Sequence, residues 1–496
     1  MEEKNLPWQE TSPVQPEQPA FSTGKKELLF AVTALIGGFS LCNFTVFGGF
    51  QLGFAIAASV CILCATGYLL ACGCKLRFYS LALLGLSIVI AAAFGRSDDG
   101  FVKFVMVCFL LVSVNLGLSQ LAGQNLRCPG SAGSLLDAPG ALFAFGIGKS
   151  PQVFRGLAQA FRRSGTVGQK SGAVLLGIVI AVPVLAIVIP LLIRADAAFD
   201  GLMQSMPSFD MGELITTVIL GVPLVCILYV RGVALYHNPK REILEKKQRK
   251  GLSNLTVNTV LAIVCGVYAL YLVSQLAYFT GAFAGVLPEE YTLAEYARRG
   301  FFEMAWLCAI NLCIVVLSLS VRSGKQSAPF STRLLCLFIG VITLFLVVTA
   351  SAKMFLYIES FGLTRLRVLT QIVMLYLAFV TVIVMVWLFV PKLPYMKIVM
   401  LAALLIGALV IWVDVDTFVA RYNVDAYLSG KLKTVDVWYL NDLTDGAIPH
   451  LARLAQNAPD RKIAETAQRA LENRHVFREA DFRSWNYVNY IGGKYQ

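Results

Sequence analysis

Four ionisable side chains stand together where a lipid-facing segment can least hold them unpaired. In SAKMFLYIESFGLTRLRVLT, Ser351 to Thr370, Lys353 and Glu359 close one long apolar run, and Arg365 and Arg367 open the next. Gly362 interrupts the helical periodicity between them. Charges at such a seam relay a proton or ion, hold a substrate, neutralise one another as a clamp, or anchor helix ends in the headgroups. Asp414 and Asp416, at the end of the last apolar run, are the natural counter-charges. The expected arrangement is a partly buried polar cluster in which Arg365 and Arg367 meet Asp414 and Asp416, with Lys353, Glu359 and Arg421 nearby. Asn423 and Asp425 in RYNVDAY, and Asp436 in TVDVWYLNDL, follow at once. They either order the junction beyond that run or line a ligand site there.

Signals for other chemistry are poor. The histidines are His237, His450 and His475, without the HExxH spacing of a zinc protease. Cys61 and Cys64, and Cys72 and Cys74, have metal-like spacing but sit in apolar sequence with no convergent histidine or carboxylate, so they read as packing residues. GAFAG at Gly281 to Gly285 lacks the Rossmann spacing, and LFAFGIGKS at Leu142 to Ser150 lacks the first glycine of a phosphate loop. No catalytic residue, metal site or cofactor is assigned.

The elements that must position the charges are membrane helices. The chain has 496 residues, is 57% hydrophobic and only 15% charged, and has a mean hydropathy of +0.69, which places it in a bilayer. Its net charge of +12 is scattered in short clusters between apolar runs, the distribution that orients helices and not one that binds nucleic acid. Runs long enough to cross about 30 Å of hydrocarbon fall near 28–47, 50–73, 76–94, 101–121, 171–193, 214–236, 255–283, 301–321, 334–357, 368–390 and 398–419, about eleven spans. Residues 1–27 read as a disordered cytoplasmic lead, 28–419 as the transmembrane domain, and 420–496 as an extracytoplasmic helical tail. In the tail, Thr444 and Asp445 are placed to cap IPHLARLAQN, Asn457 to Asp460 reads as a turn, and RKIAETAQRALENR has helical apolar spacing.

Loop charge sets the orientation. With the N-terminus inside, the inner loops hold about 22 lysines and arginines and the outer loops about 6, the latter mixed with acids such as Asp98 and Asp99. An odd span count then puts the C-terminus outside. QVFRGLAQAFRR, Gln152 to Arg163, reads as a helix lying in the inner headgroup layer or as an ordinary basic loop helix. His237 to Gly251 reads as a charged orienting linker near anionic lipid.

MFLYIESFGLTRLRVLT, with DVDTFVARYNVDAYLSGK (Asp414 to Lys431) and DFRSWN (Asp481 to Asn486), resembles the DUF4153/DUF4173 group of bacterial multi-pass membrane proteins. The resemblance implies a polytopic helical protein with a small polar helical end, and implies no reaction.

The fold expected is therefore all-α, a polytopic plasma-membrane bundle with a small C-terminal helical domain. Its function reads as that of a non-enzymatic sensor, scaffold or assembly protein whose partners are the bilayer and a membrane or extracytoplasmic protein. The alternative is a secondary transporter with a polar path between the last three spans.

Overall fold

The computed structural model describes residues 24–123, 150–163, 184, 188, 191–196, 211–237, 252–283, 301–321, 328–474 and 481–495. The lead up to residue 23, most of the expected span at 171–193, most of the linker at 237–251, and His475 lie outside them.

Among the described residues the elements are helices throughout. They are α1 (Lys25–Gly48), α2 (Leu52–Ala71), α3 (Phe78–Ala93), α4 (Gly100–Ala122), α5 (Ser150–Arg163), α6 (Met211–His237), α7 (Asn254–Phe283), α8 (Phe301–Val321), α9 (Phe330–Phe361), α10 (Arg365–Phe389) and α11 (Tyr395–Val413). Beyond these lie α12 (Val415–Leu428), α13 (Val437–Asn441), a 3-10 turn (Asp445–Ala447), α14 (Ile448–Asn457), α15 (Arg461–Glu472) and α16 (Tyr487–Gly492). Nine of the described helices are long and apolar enough to cross a bilayer, and α3 is a shorter apolar one. The all-α polytopic architecture stands as the sequence implies.

Polar contacts fix how the helices run. Glu27 meets His237 at 3.2 Å, and Asn43 meets Glu213 at 2.7 Å, so α1 and α6 are antiparallel. Asn258 bonds Ser331 and Thr332, so α7 and α9 start at the same end. Tyr268 to Asn311 (2.5 Å) and Asn311 to Thr343 (3.1 Å) join α7, α8 and α9 through neutral groups. Arg483, in the segment before α16, bonds Asn43 and Glu213 at the far end of α1. The start of α1 and the C-terminal helices therefore occupy opposite ends of the bundle; the latter is called the tail end below.

Apolar packing divides the bundle but not at the tail. Phe54, Leu83, Ile90, Phe94, Met106, Leu404 and Ile411 bury one another between α2, α3, α4 and α11. Leu346, Ala350, Met354 and Met374 of α9 and α10 share a core with Val419, Leu440, Leu451 and Ala467 of the C-terminal helices. The C-terminal helices thus share one core with α9 and α10. On α5, Val153 is buried and joins the core of α1, α2 and α6.

The last span departs from its sequence reading. Its apolar pattern runs on to Val419, yet α11 ends at Val413 and α12 starts at Val415. Asp414 makes the break. It adopts φ +55°, costly for a side-chain residue, and its carboxylate caps α12 by accepting from the Thr417 N–H and hydroxyl. Val415, Val419 and Val424 are apolar because they face the C-terminal core, not lipid. In the tail, Asp460 caps α15 by accepting from the Lys462 N–H at 2.8 Å, whereas Thr444 makes no side-chain cap before the 3-10 turn.

Candidate functional site

The tail end holds a joint in which side chains from distant parts of the chain satisfy one another. Its centre is Arg365, the first residue of α10. Its Nε and Nη2 donate to the two oxygens of Asp416, at 2.7 Å for Nε, and its Nε also lies 3.0 Å from Oδ2 of Asp99. Asp416 is fully buried and Asp99 is 3% exposed, so both carboxylates depend on this guanidinium for compensation. Each also serves local structure. Asp99 caps α4 by accepting from the Phe101 and Val102 N–H groups, and Asp416 accepts from the Thr444 N–H at 2.9 Å. The backbone N–H of Arg365 donates to the Tyr439 hydroxyl at 2.7 Å.

A second contact locks the seam between α9 and α10. Asn423 of α12 donates to the Leu363 carbonyl at 2.8 Å and accepts from the Leu363 N–H at 2.7 Å. Gly362 has φ +73°, and a Cβ there would lie 2.6 Å from the Asn423 Oδ1. Glycine is required twice over, by backbone conformation and by space.

The third part joins the first half of the chain. Ser97, in the turn between α3 and α4, donates to Asp414 at 2.8 Å. Lys103, buried on α4, bonds Gln51 at 2.8 Å and Asp98 at 3.1 Å. Asn486 of the DFRSWN segment donates to Gln51 and to the Ser97 carbonyl. The backbone carbonyls of Trp485 and Arg483 accept from Leu52 and Gly53, the first N–H groups of α2, which have no partner within their own helix. Burial pushes the Asp414 carboxyl up despite its hydroxyl and N–H donors, and does the same to Asp445 and to the Tyr439 phenol.

The structure thus brings together Arg365 and Asp416, with Asp414 linked to them through Ser97 and Asp99. Arg367 points elsewhere, donating to the Phe361 and Gly362 carbonyls and lying over the Tyr357 ring at 4.1 Å. Lys353 is half-buried farther back along α9, Glu359 is exposed, and Arg421 is an exposed partner of Asp425 at 3.7 Å. Asp425 also pairs with Arg453 on the surface. Asp436 caps α13, accepting from the Tyr439 N–H at 3.0 Å.

Sequence reasoning missed Asp99, Ser97, Lys103, Gln51, Tyr439 and Asn486 as members of the joint. The signal available was an acidic pair in a loop expected on the same side as Arg365. Chemically the joint is a set of compensated charges and helix caps. Among the described residues no group of three histidine, cysteine, aspartate or glutamate side chains converges as a metal site.

A family model described as a domain of unknown function, DUF4153, matches residues 78–454. The match is wider than the quoted segments on the N-terminal side, reaching the start of α3, and leaves DFRSWN outside. No curated protein matches, and no solved structure matches. The matched span contains Ser97, Asp99, Arg365, Asp414, Asp416 and Asn423, most of the joint, and the chain belongs to the DUF4153 family.

Proposed function

We propose that this protein is a non-enzymatic sensor, scaffold or assembly protein of the plasma membrane, with its C-terminal helical domain on the extracytoplasmic side, where it meets a protein partner or ligand. The supporting observation is where the charges go. At the tail end they are taken up in pairs and caps, while the middle of α7, α8 and α9 is joined by neutral hydrogen bonds. A void of about 10 Å³ between α8, α9 and α10, lined by Asn311, Thr343 and Thr381 among apolar residues, has room for about one water. The sidedness rests on the excess of basic residues in alternate loops.

The alternative, secondary transport, draws on Lys103 and Asp414, ionisable groups buried at the tail end. Cysteines placed at Asn311 and Thr343 in a cysteine-depleted chain separate the two. The scaffold reading expects no reaction with a membrane-impermeant thiol reagent; labelling at either position means a water path and favours transport. A reporter fused after Gln496 tests sidedness, and a signal confined to the cytosol would overturn the extracytoplasmic placement.

A further inference from the structure

At the edge of the joint, sharing Gln51 and Lys103 with it, lies a cavity of about 260 Å³ between the α1–α2 turn and the first two turns of α4. Phe50, Phe104 and Val107 form its apolar side, and Gln51, Asp98 and Lys103 its polar side. On α4 it borders a face on which Phe101, Phe104 and Leu111 are exposed, the face of a spanning helix that meets hydrocarbon. A molecule entering here comes from lipid, with its polar end at the rim and its chain along Phe104, Val107 and Leu111. Gly100 to Leu111 spans roughly 16 Å of helix, enough for most of an acyl chain.

The charge of the pocket selects the headgroup. The side chain of Lys103 is 6% exposed and already bonded to Gln51 and Asp98, whereas that of Asp98 is 36% exposed. Asp98 Oδ1 accepts from Gln51 and Lys103, but among the described residues Oδ2 accepts only a 3.3 Å bond from Asn489, which leaves a lone pair for another donor. An anionic headgroup would face Asp98, and a choline would bring no N–H to it. A primary ammonium would supply that donor and lie against the Phe50 and Phe104 rings.

We infer that this cavity binds a phospholipid with a primary-amine headgroup, the ammonium donating to Asp98 and the chain lying along α4. Binding here does not depend on which side of the membrane the tail end faces.

The full chain in nanodiscs, exposed to a phosphatidylethanolamine carrying a photoreactive acyl chain, should be labelled on the peptide holding Phe104 to Leu111. Unlabelled phosphatidylethanolamine should compete; phosphatidylglycerol and phosphatidylcholine should not. Asp98→Asn should lower labelling roughly tenfold. Phe104→Leu, at an exposed position outside the joint, should lower it roughly threefold with the thermal midpoint unchanged. Equal competition by the three lipids, or undiminished labelling in a folded Phe104→Leu protein, would overturn the assignment.

Discussion

Arg365 and Arg231 both place a guanidinium on a spanning helix, and they are held in opposite ways. Arg365 sits at a helix start and is shared by carboxylates from the α3–α4 turn and from α12. Arg231, on α6 toward the other end, is 6% exposed and among the described residues bonds neutral groups, Asn115 at 3.2 Å and Ser119 at 2.8 Å. Its Nη1 has no hydrogen-bond partner among the described residues. Ser119 lies in the last turn of α4, where the negative end of the helix dipole supplies partial compensation. The first arginine ties several elements through charges that cannot be left alone. The second joins two helices through groups that survive its loss.

That difference predicts unequal consequences. The largest belongs to Arg365→Ala, which strands buried Asp416 and Asp99 and should cost about 3 kcal/mol, read as a lowered thermal midpoint of the purified protein. Asn423→Ala removes both bonds to Leu363 and leaves its backbone groups buried; a loss of about 1–3 kcal/mol is expected, with faster hydrogen exchange at the α9–α10 seam. Arg231→Met should change stability by less than about 1 kcal/mol or raise it, because a buried guanidinium with only neutral partners among the described residues is replaced by an apolar chain of similar length. A loss as large as that of Arg365→Ala would erase the contrast.

The smallest expected effect is on pH response, and it is confined to the tail end. His450, on α14, has its pKa lowered from 6.5 by burial and then by the nearby Arg453, so its contribution is full above that value and is lost as pH falls below it. Asp414 and Asp445 act oppositely. Their carboxyls are raised from 3.8 by burial, so they favour the fold in acid and that contribution fades as pH rises through their folded values. After correction for the intrinsic pH dependence of exchange, protection in α14 should therefore fall between pH 7 and the carboxyl range, while α12, which contains no histidine, should hold or gain protection over the same interval. A uniform response of both helices would contradict this.

The same contrast explains what could be read from sequence. Apolar length marks a span whatever packs against it, so the helices were legible, and ionisable residues at the ends of apolar runs marked Arg365, Asp414 and Asp416. Side-chain direction was not. Glu359 shares the seam with Arg365 but stays exposed, because Gly362 turns the chain between them. Arg367 spends its donors on the end of α9. Asp99 is far away in sequence, and nothing in its own loop names Arg365. The break at Asp414 is hidden because Val415 and Val419 look lipid-facing while burying against the C-terminal core. Arg231 lies inside an apolar run with no carboxylate to flag it.

The most direct test of the charged joint is a double-mutant cycle on Arg365→Met and Asp416→Leu, with unfolding free energy measured for each protein. The account predicts that the second substitution restores part of what the first loses, with a coupling of about 2 kcal/mol or more. Independent, additive losses would mean that the two side chains are neighbours without holding the tail end together.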